Sequence, residues 1–487
     1  MMITRFNAES KSKFTAGERL AIGAASMIGI PYRAVKGVVD VGRTHYYKLG
    51  HQVRPILDGL TATGEIARSV ILVTNEFIER SVIALHTVCN APESAILYFV
   101  EQVYGVHISK GKIYYILRDA EKKAAAHDAG VSLEGIDDIA TDELFQGGKP
   151  VLTVVDIPSG YVVMAEPAED RSAEAWQEAF EDKKEKGLNA RLNVSDEGAG
   201  LCKGVQAAFP GIEMQPDIFH AMRDLGRVVN AIERTTNGDL TNYCSLEYRV
   251  QNKYARLSTR QKYNRLRLSI DNNLVRADSL RILYGWLLEY TNFTGFGYTH
   301  CLELCGWILD EMEKLYPKSD HLLDATARLR VNLPDILGFL PRLRRSLINM
   351  AHEYRVPEYA FTLMYSQLTL DVETEEYQVI EDKLYHIFRE RFLDAKDALH
   401  NTIRTTYRAS SPIENVNGRI RVHMNVKREI PDNQFPLLKM MLNTRKCHRS
   451  RKPDRIGNSA LDRLTGQDTP DFLDALLGPP HYILSAA

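Results

Sequence analysis

The stretch Ile136–Gly200, IDDIATDELFQGGKPVLTVVDIPSGYVVMAEPAEDRSAEAWQEAFEDKKEKGLNARLNVSDEGAG, decides how this chain folds. Val151 to Val155 and Tyr161 to Met164 are apolar runs, largely β-branched or aromatic, separated by Ile157-Pro158-Ser159-Gly160. Two such runs around turn-forming residues predict a hairpin. Ahead of them, Asp138 to Phe145 reads as another strand, turned by Gly147-Gly148. Ser172 is an N-cap candidate, and Trp176, Ala179 and Phe180 follow at i, i+3, i+4 on one helical face. Leu192 and Val194 alternate into a fourth strand ending at Asp196, with Gly198 and Gly200 beyond. The expected order is three antiparallel strands, a helix and a returning strand. Asp142 lies on the first strand and Asp196 at the end of the fourth.

Working outward, 487 residues are too many for one typical domain and predict two to four units. An apolar share of 44% and a charged share of 25% are ordinary globular values. With a net charge of only -2, no global positive field draws in nucleic acid, so DNA binding has to come from local basic patches. The six cysteines are too scattered for a disulfide framework. Cys301 and Cys305 share a helical face at i, i+4, and without a C-x-x-C or histidine pair that spacing predicts core packing rather than zinc. The N-terminus MMITRFNAESKSKF has no apolar h-region, and no run of about 18 apolar residues appears, so a cytoplasmic protein with no membrane partner is expected.

Thr15-Ala16-Gly17-Glu18 is a possible capping box for a helix through about Met27. Gly29 ends it, Pro31 suits the first turn of a second helix, and Gly42 to Lys48 reads as a third that offers Arg43 and Tyr46. That outline fits a helix-turn-helix module, and equally a small helical bundle with no DNA role. A second helical unit follows. Asn75 to Val88 is amphipathic, Pro92 opens a helix that Gly105 closes, and Ser109 caps one bearing Lys110, Lys112, Tyr114 and Arg118. Early residues of a recognition helix meet base edges while lysine, arginine and tyrosine hold phosphates; the plainer alternative is a solvated helix face.

Beyond the fourth strand, Gly211 to Gln215 reads as a short fifth strand leading to Asp217. From Ala221 to Arg404 the pattern is helical, as in Leu280, Leu283, Leu287 and Leu288, and β-type alternation is absent. The basic residues Arg249, Lys253, Arg256, Arg260, Lys262, Arg265 and Arg267 fall three or four apart, a spacing that could line DNA. Trp286 and Trp307 sit within apolar helical patterns, which predicts core packing for both. The tail Asn443 to Arg455, with Arg445, Lys446, Arg449 and Arg451, is expected to fold little by itself and to track a phosphate backbone, or else merely to solubilise.

Three pieces together resemble DDE-type DNA transposases of the bacterial insertion-sequence kind: TDELFQGGKPVLTVVDIPSGYVV, then LNVSDEGAGL followed by PDIFHAMRDLGRVV, then SSPIENVNGRIRVH. The resemblance implies an α/β, RNase H-like mixed-sheet core interrupted by a large all-α insertion and preceded by all-α helix-turn-helix modules. It implies a catalytic triad of Asp142, Asp196 and Glu414 holding two Mg2+ ions, with Mn2+ able to substitute. His220, in a D-x-x-H motif beginning at Asp217, is similar to the motif of Mutator-like relatives and becomes a hydrogen-bond donor or proton carrier near the scissile phosphate. Domain boundaries follow at 1–65, 66–135 (a second helical module and linker), 136–220, 221–405 and 406–487. The implied partners are double-stranded DNA, both element ends and target, and further copies of the chain in a dimer or higher assembly on the bacterial nucleoid.

Each acid has a plainer role too. Asp196 suits a polar turn, and Ser411-Pro412-Ile413-Glu414 makes a capping box. Asp156 competes with Asp142 for the first position, but it precedes a turn, and strand two runs away from the end of strand four. A transposase-derived DNA-binding regulator, or another RNase H-like nuclease such as a resolvase, remains as an alternative.

Overall fold

The computed structural model describes residues 14, 16–60, 69–71, 73–196, 198–251, 255–480 and 483–485. Thr15 of the expected capping box and Lys253 of the basic stretch lie outside them. The chain divides into two compact units. One comprises Met1–Leu133, Glu143–Asp170 and Glu414–Ala487, the other Glu134–Asp142 and Arg171–Ile413.

The first unit opens with α1 (Ala16–Met27), α2 (Tyr32–Val38) and α3 (Arg43–Leu60). Ile22, Ala25, Val35, Val41, Tyr46 and Leu49 form their shared core. Helices α1 and α3 touch through glycines: a Cβ on Gly23 would stand 2.5 Å from Val53 Cγ2, and one on Gly50 would stand 2.5 Å from Ser26 Oγ. After β1 (Ser69–Ile71) come α4 (Asn75–Ile83), α5 (Glu93–Tyr104) and α6 (Lys110–Ala129). Thr74 and Ser109 cap α4 and α6, accepting from Phe77 N and Lys112 N. Gly105 closes α5 with φ 66, a backbone angle that favours glycine.

Next in the chain stand β2 (Asp138–Gln146), β3 (Lys149–Asp156), β4 (Val162–Pro167), α7 (Ala173–Glu185), β5 (Leu192–Ser195), α8 (Ala199–Ala208) and β6 (Glu213–Pro216). The five strands form one mixed sheet in the order β4-β3-β2-β5-β6, and β2 runs through the boundary between the units. β3 and β4 pair antiparallel, whereas β2 with β5 and β5 with β6 pair parallel. The predicted hairpin, helix and returning strand are all present.

In the second unit the glycines of GAGLCKG set how α8 lies on α7. A Cβ on Gly204 would meet Trp176 Cβ at 2.4 Å and Ala173 O at 2.7 Å, and one on Gly200 would meet Arg171 O at 2.3 Å. Trp176 and Phe180 of α7 are fully buried. From Ile218 onward the described elements up to Thr405 are helical. α9 (Ile218–Val250), α10 (Leu257–Tyr290), α11 (Tyr298–Leu315) and α12 (Asp320–Ile336) surround one core. α13 (Phe339–Tyr354), α14 (Tyr359–Ser366), α15 (Glu375–Phe388) and α16 (Phe392–Thr405) surround another. Cys301 and Cys305 lie in the first of these cores, where burial pushes the Cys305 thiol up to about 12. Arg342 of α13 fastens these helices to β6, donating to Glu213 Oε1 at 2.7 Å and Gln215 Oε1 at 2.9 Å.

The chain closes with α17 (Ser411–Lys427), α18 (Phe435–Thr444), α19 (Ala460–Thr465), α20 (Phe472–Leu477) and β7 (Ile483–Ser485), which pairs antiparallel with β1. Of the expected tail Asn443–Arg455, Asn443 and Thr444 end the buried helix α18, while Arg445–Arg455 is irregular and mostly exposed. Helix α18 is buried along nearly its whole length. Its Asn443 serves β4 as a strand would, accepting from Val162 N at 2.7 Å and donating to Val162 O at 3.0 Å. Lys439 pairs with Asp128 of α6 at 2.8 Å, and Arg80 of α4 donates to Asp474 of α20 at 2.8 Å. The second helical module and the C-terminal segment therefore pack as one body, because each covers the other's apolar face.

Gly204→Val should destabilise the chain by about 1–3 kcal/mol, the usual cost of forcing extra carbon into a packed interior. Denaturant unfolding measures it; a variant as stable as wild type would show that α7 and α8 are not held this closely.

Candidate active site

Three aspartates meet the same level of the sheet because of its register. Thr141 of β2 is partnered with Ser195 of β5, and Ser195 with Pro216 of β6. The next residue on each chain segment is an aspartate: Asp142, Asp196 and Asp217. Asp217 N donates to Ser195 O at 2.7 Å and so extends the ladder by one step. Adjacent strands lie about 4.7–4.9 Å apart, so Asp142 within β2 and the acids just past the ends of β5 and β6 stand level on neighbouring strands.

The three differ in what they do there. Asp217 is only 2% exposed and is the N-cap of α9, accepting from Phe219 N at 2.7 Å. It also accepts the Ser410 amide at 3.1 Å and the Ser410 hydroxyl, and His220 Nδ1 lies 3.4 Å from its Oδ2 at ion-pair distance. Burial pushes this carboxyl up, but the bonds from His220, Ser410 and Phe219 outweigh it and hold it below the usual aspartate range. Asp217 is thus a structural junction. It ties the end of β6 to the residue just before α17, across 193 positions of sequence.

Asp196 is half-buried, and its Oδ1 accepts from Gly198 N at 3.3 Å where α8 begins. Together with Asp217, His220, Arg223 and Arg328 it lines an open cleft. Asp142 is also half-buried, on β2. The Asp217 carboxylate raises the His220 pKa above 6.5, burial opposes it, and Asp196 adds a smaller push upward. His220 therefore carries its charge more readily than a free histidine.

Asp156 sits elsewhere and is spent on turn chemistry. It is 3% exposed, and its carboxylate accepts the Ser159 amide at 2.9 Å and the Ser159 hydroxyl. Glu414 lies in the first turn of α17, half-buried, with Arg421 Nη1 at 3.5 Å from its Oε2. The expected box needs Ser411 at the N-cap, but the helix already includes it. Ser411 is the first helical residue, Ile413 N donates to Ser410 O at 2.9 Å, and the Ser410 hydroxyl goes to Asp217. Ser410 was missed by the sequence reading, since no local signal links it to a residue so far away. Among the described residues no group of three or more His, Cys, Asp or Glu side chains stands ready to hold a metal ion.

Of the expected DNA-binding residues, Arg43 lies on an exposed face of α3 with Thr44, Tyr47, Lys48, His51 and Gln52. Tyr46 is a correction: it is 1% exposed, and its hydroxyl donates to Ile30 O at 2.6 Å, so it belongs to the core and Tyr47 takes the outer position. On α6, Lys110 is exposed, Lys112 stands 3.7 Å from Glu79, and Arg118 donates to the Tyr114 hydroxyl at 2.6 Å. Arg256 and Arg260 are exposed at the start of α10. Arg445, Arg449 and Arg451 are exposed as well, while Lys446 is paired with Asp462 at 3.5 Å and with Asp468. Trp286 and Trp307 are a second correction. They stack on each other at 6.5 Å and are 43% and 48% exposed, not core residues.

Residues 160–271 match the family model described as Transposase, Mutator family. That stretch contains Asp196, Asp217 and His220, and the match supports a transposase, a nucleic-acid-processing enzyme that acts on DNA. No curated protein matches the chain. No helix among the described residues is long and apolar enough to cross a membrane.

The His220–Asp217 pair gives a signed pH prediction. A raised histidine pKa adds stability that is full below 6.5 and is lost as pH rises through the folded value. The His220 ring should titrate above 6.5 by NMR. Asp217→Asn should return the midpoint toward 6.5 and cost about 1–3 kcal/mol of stability, because it weakens a buried, multiply bonded acceptor. An unchanged midpoint in the variant would remove the pair.

Proposed function

We propose that the chain is a DDE-type DNA transposase, binding the ends of its element and cutting and joining strands on an RNase H-like sheet. The observation that carries this reading is the register that sets Asp142 and Asp196 level on adjacent parallel strands. The donor set suits Mg2+, which takes hard oxygen ligands and usually keeps only one or two carboxylates beside waters and substrate phosphates; Mn2+ fits the same donors. Asp142 and Asp196 would hold the ions, and Glu414 is the proposed third ligand. A pair of such ions activates the attacking oxygen and stabilises the leaving one.

The chain's own groups supply the rest. His220, whose cationic form Asp217 favours, and the guanidinium groups of Arg223 and Arg328 line the same cleft as Asp196. They bind the anionic backbone beside the scissile phosphate, and His220 donates a hydrogen bond to it. Asp217 and Ser410 position rather than react. The exposed cations of α3 and α6, Arg256 and Arg260 of α10, and Arg445, Arg449 and Arg451 hold phosphates of the duplex. Self-association, as a dimer or larger, would bring two element ends together.

The test uses the full chain with duplexes taken from the DNA that flanks its gene. Asp142→Asn, Asp196→Asn and Glu414→Gln should each lower Mg2+-dependent cleavage by more than the roughly hundredfold that loss of a supporting residue costs, with DNA binding retained. Asp156→Asn should still cleave if it remains folded. Cleavage that survives Asp142→Asn and dies in a folded Asp156→Asn would move the site. A wild-type chain that binds these duplexes and cuts none with Mg2+ or Mn2+ is instead a DNA-binding regulator.

A further inference from the structure

We propose that the exposed face of α9 is a track for double-stranded DNA, carrying the duplex from the cleft at Asp196 toward the cationic start of α10. The inference rests on the transposase reading, which supplies the DNA. α9 is 33 residues long and begins beside the cleft with His220 and Arg223. Beyond them, positions 227, 231, 234, 238, 241, 245 and 248 follow at steps of four and three in alternation. On a straight helix such a stripe drifts only about 20° per seven residues. It carries Arg227 and Arg234, the small residues Ala231, Gly238 and Ser245, and Tyr248, all exposed, with exposed Arg249 beside its end. Leu225, Val229 and Thr236 are buried on the opposite side.

The residue types say what this face receives. Among the described residues nothing pairs with the exposed guanidinium groups of Arg223, Arg234 and Arg249. The carboxylate on the same face, Asp224, is tied to Arg227 at 3.3 Å. Glu233 and Glu247 turn to α10, where Arg281 and the Tyr263 hydroxyl bond them, and Asp239 stands about 100° round the helix from Gly238. The stripe is therefore cationic from Arg223 to Arg249, about 39 Å or about eleven base pairs of duplex. It offers a protein partner no large aliphatic side chain. A Cβ on Gly238 would meet nothing within 4 Å, so a phosphate backbone can lie close against the helix between the arginines. Arginine and tyrosine both hold phosphates, and Tyr248 is 80% exposed. α10 returns antiparallel, Tyr284 donating to Met222 O at 3.2 Å near the cleft and Tyr263 meeting Glu247 at the far end. The track thus ends where exposed Arg256 and Arg260 continue the positive surface.

The experiment titrates the full chain with duplexes from the DNA that flanks its gene, at a series of salt concentrations. Wild type should bind, more weakly as salt rises. Arg234→Ala and Arg249→Ala should each make the dependence of log K on log salt shallower by about 0.9. The melting temperature should not change, since both side chains are exposed. Arg330→Ala removes a guanidinium already paired with Asp310 and Glu313 and should leave the slope as it was. Place is read separately in a chain with the exposed Cys89 and Cys244 changed to serine. An iron chelate tethered at Gly238→Cys should cut the bound duplex, and one at Val379→Cys, exposed on α15, should not. A wild-type slope in the doubly substituted Arg234→Ala, Arg249→Ala chain would overturn the track and leave the metal-site reading standing. So would an equal loss of slope in Arg330→Ala, or a bound duplex left uncut from Gly238→Cys. A wild type that binds none of these duplexes would overturn the track and the transposase reading together.

Discussion

The parallel ladder of β2, β5 and β6 is the constraint on which the rest depends. Its register partners Thr141 with Ser195 and Ser195 with Pro216, and three aspartates follow at one level. Parallel neighbours cannot be joined by a tight turn and need long crossovers. The path from β2 to β5 accordingly contains the hairpin and α7, and that from β5 to β6 contains α8. A slip of one residue would turn every side chain of a strand to the opposite face. The apolar faces of β3 and β4 and the fully buried Val194 and Asn193 of β5 make that slip costly. The position of the acids is thus bound to the packing of the sheet.

Distant parts of the chain are then tied to this ladder by buried polar groups rather than by sequence proximity. Asp217 collects the start of α9, His220 and Ser410 at one carboxylate. Arg342 and Gln215 fasten the helical insertion, with Gln215 Nε2 donating to Ile336 O at 3.0 Å. Each such group would be expensive if left unpaired, so the long insertion and its return at Ser410 have a defined geometry. In the other unit Arg463 of α19 plays a comparable part, donating through Nε to Ser159 O at 2.7 Å beside the turn that Asp156 closes.

Much of this was legible in the residues. Alternating and β-branched runs marked β3, β4 and β5, and the Trp176, Ala179, Phe180 face marked α7, because local periodicity reports burial directly. The strand β2 is marked less strongly, by Asp138 to Phe145 and the Gly147-Gly148 turn that ends it. Tyr46 was misplaced although its own helix held the signal: Tyr46, Leu49 and Val53 follow at i, i+3 and i+7 and form the buried face, which leaves Tyr47 outside. Trp286 and Trp307 misled for the opposite reason. Helix α10 is apolar on two sides, and periodicity cannot say which side a neighbour covers. The Ser410–Asp217 link and the folding of the C-terminal segment onto α4 and α6 left no trace in the sequence, since both are contacts between residues hundreds of positions apart.

The claim that Asp142 and Asp196 form one divalent-cation site can be measured without knowing the DNA sequence the chain acts on. Fe2+ bound in place of Mg2+, with peroxide and ascorbate, cuts the polypeptide backbone beside its ligands, and the fragments can be mapped by mass spectrometry. Cuts clustered around residues 142 and 196 that fade together as Mg2+ is added, and that vanish in Asp196→Asn, are the expected result. Cuts at only one of the two, or a pattern that Mg2+ does not suppress, would contradict it.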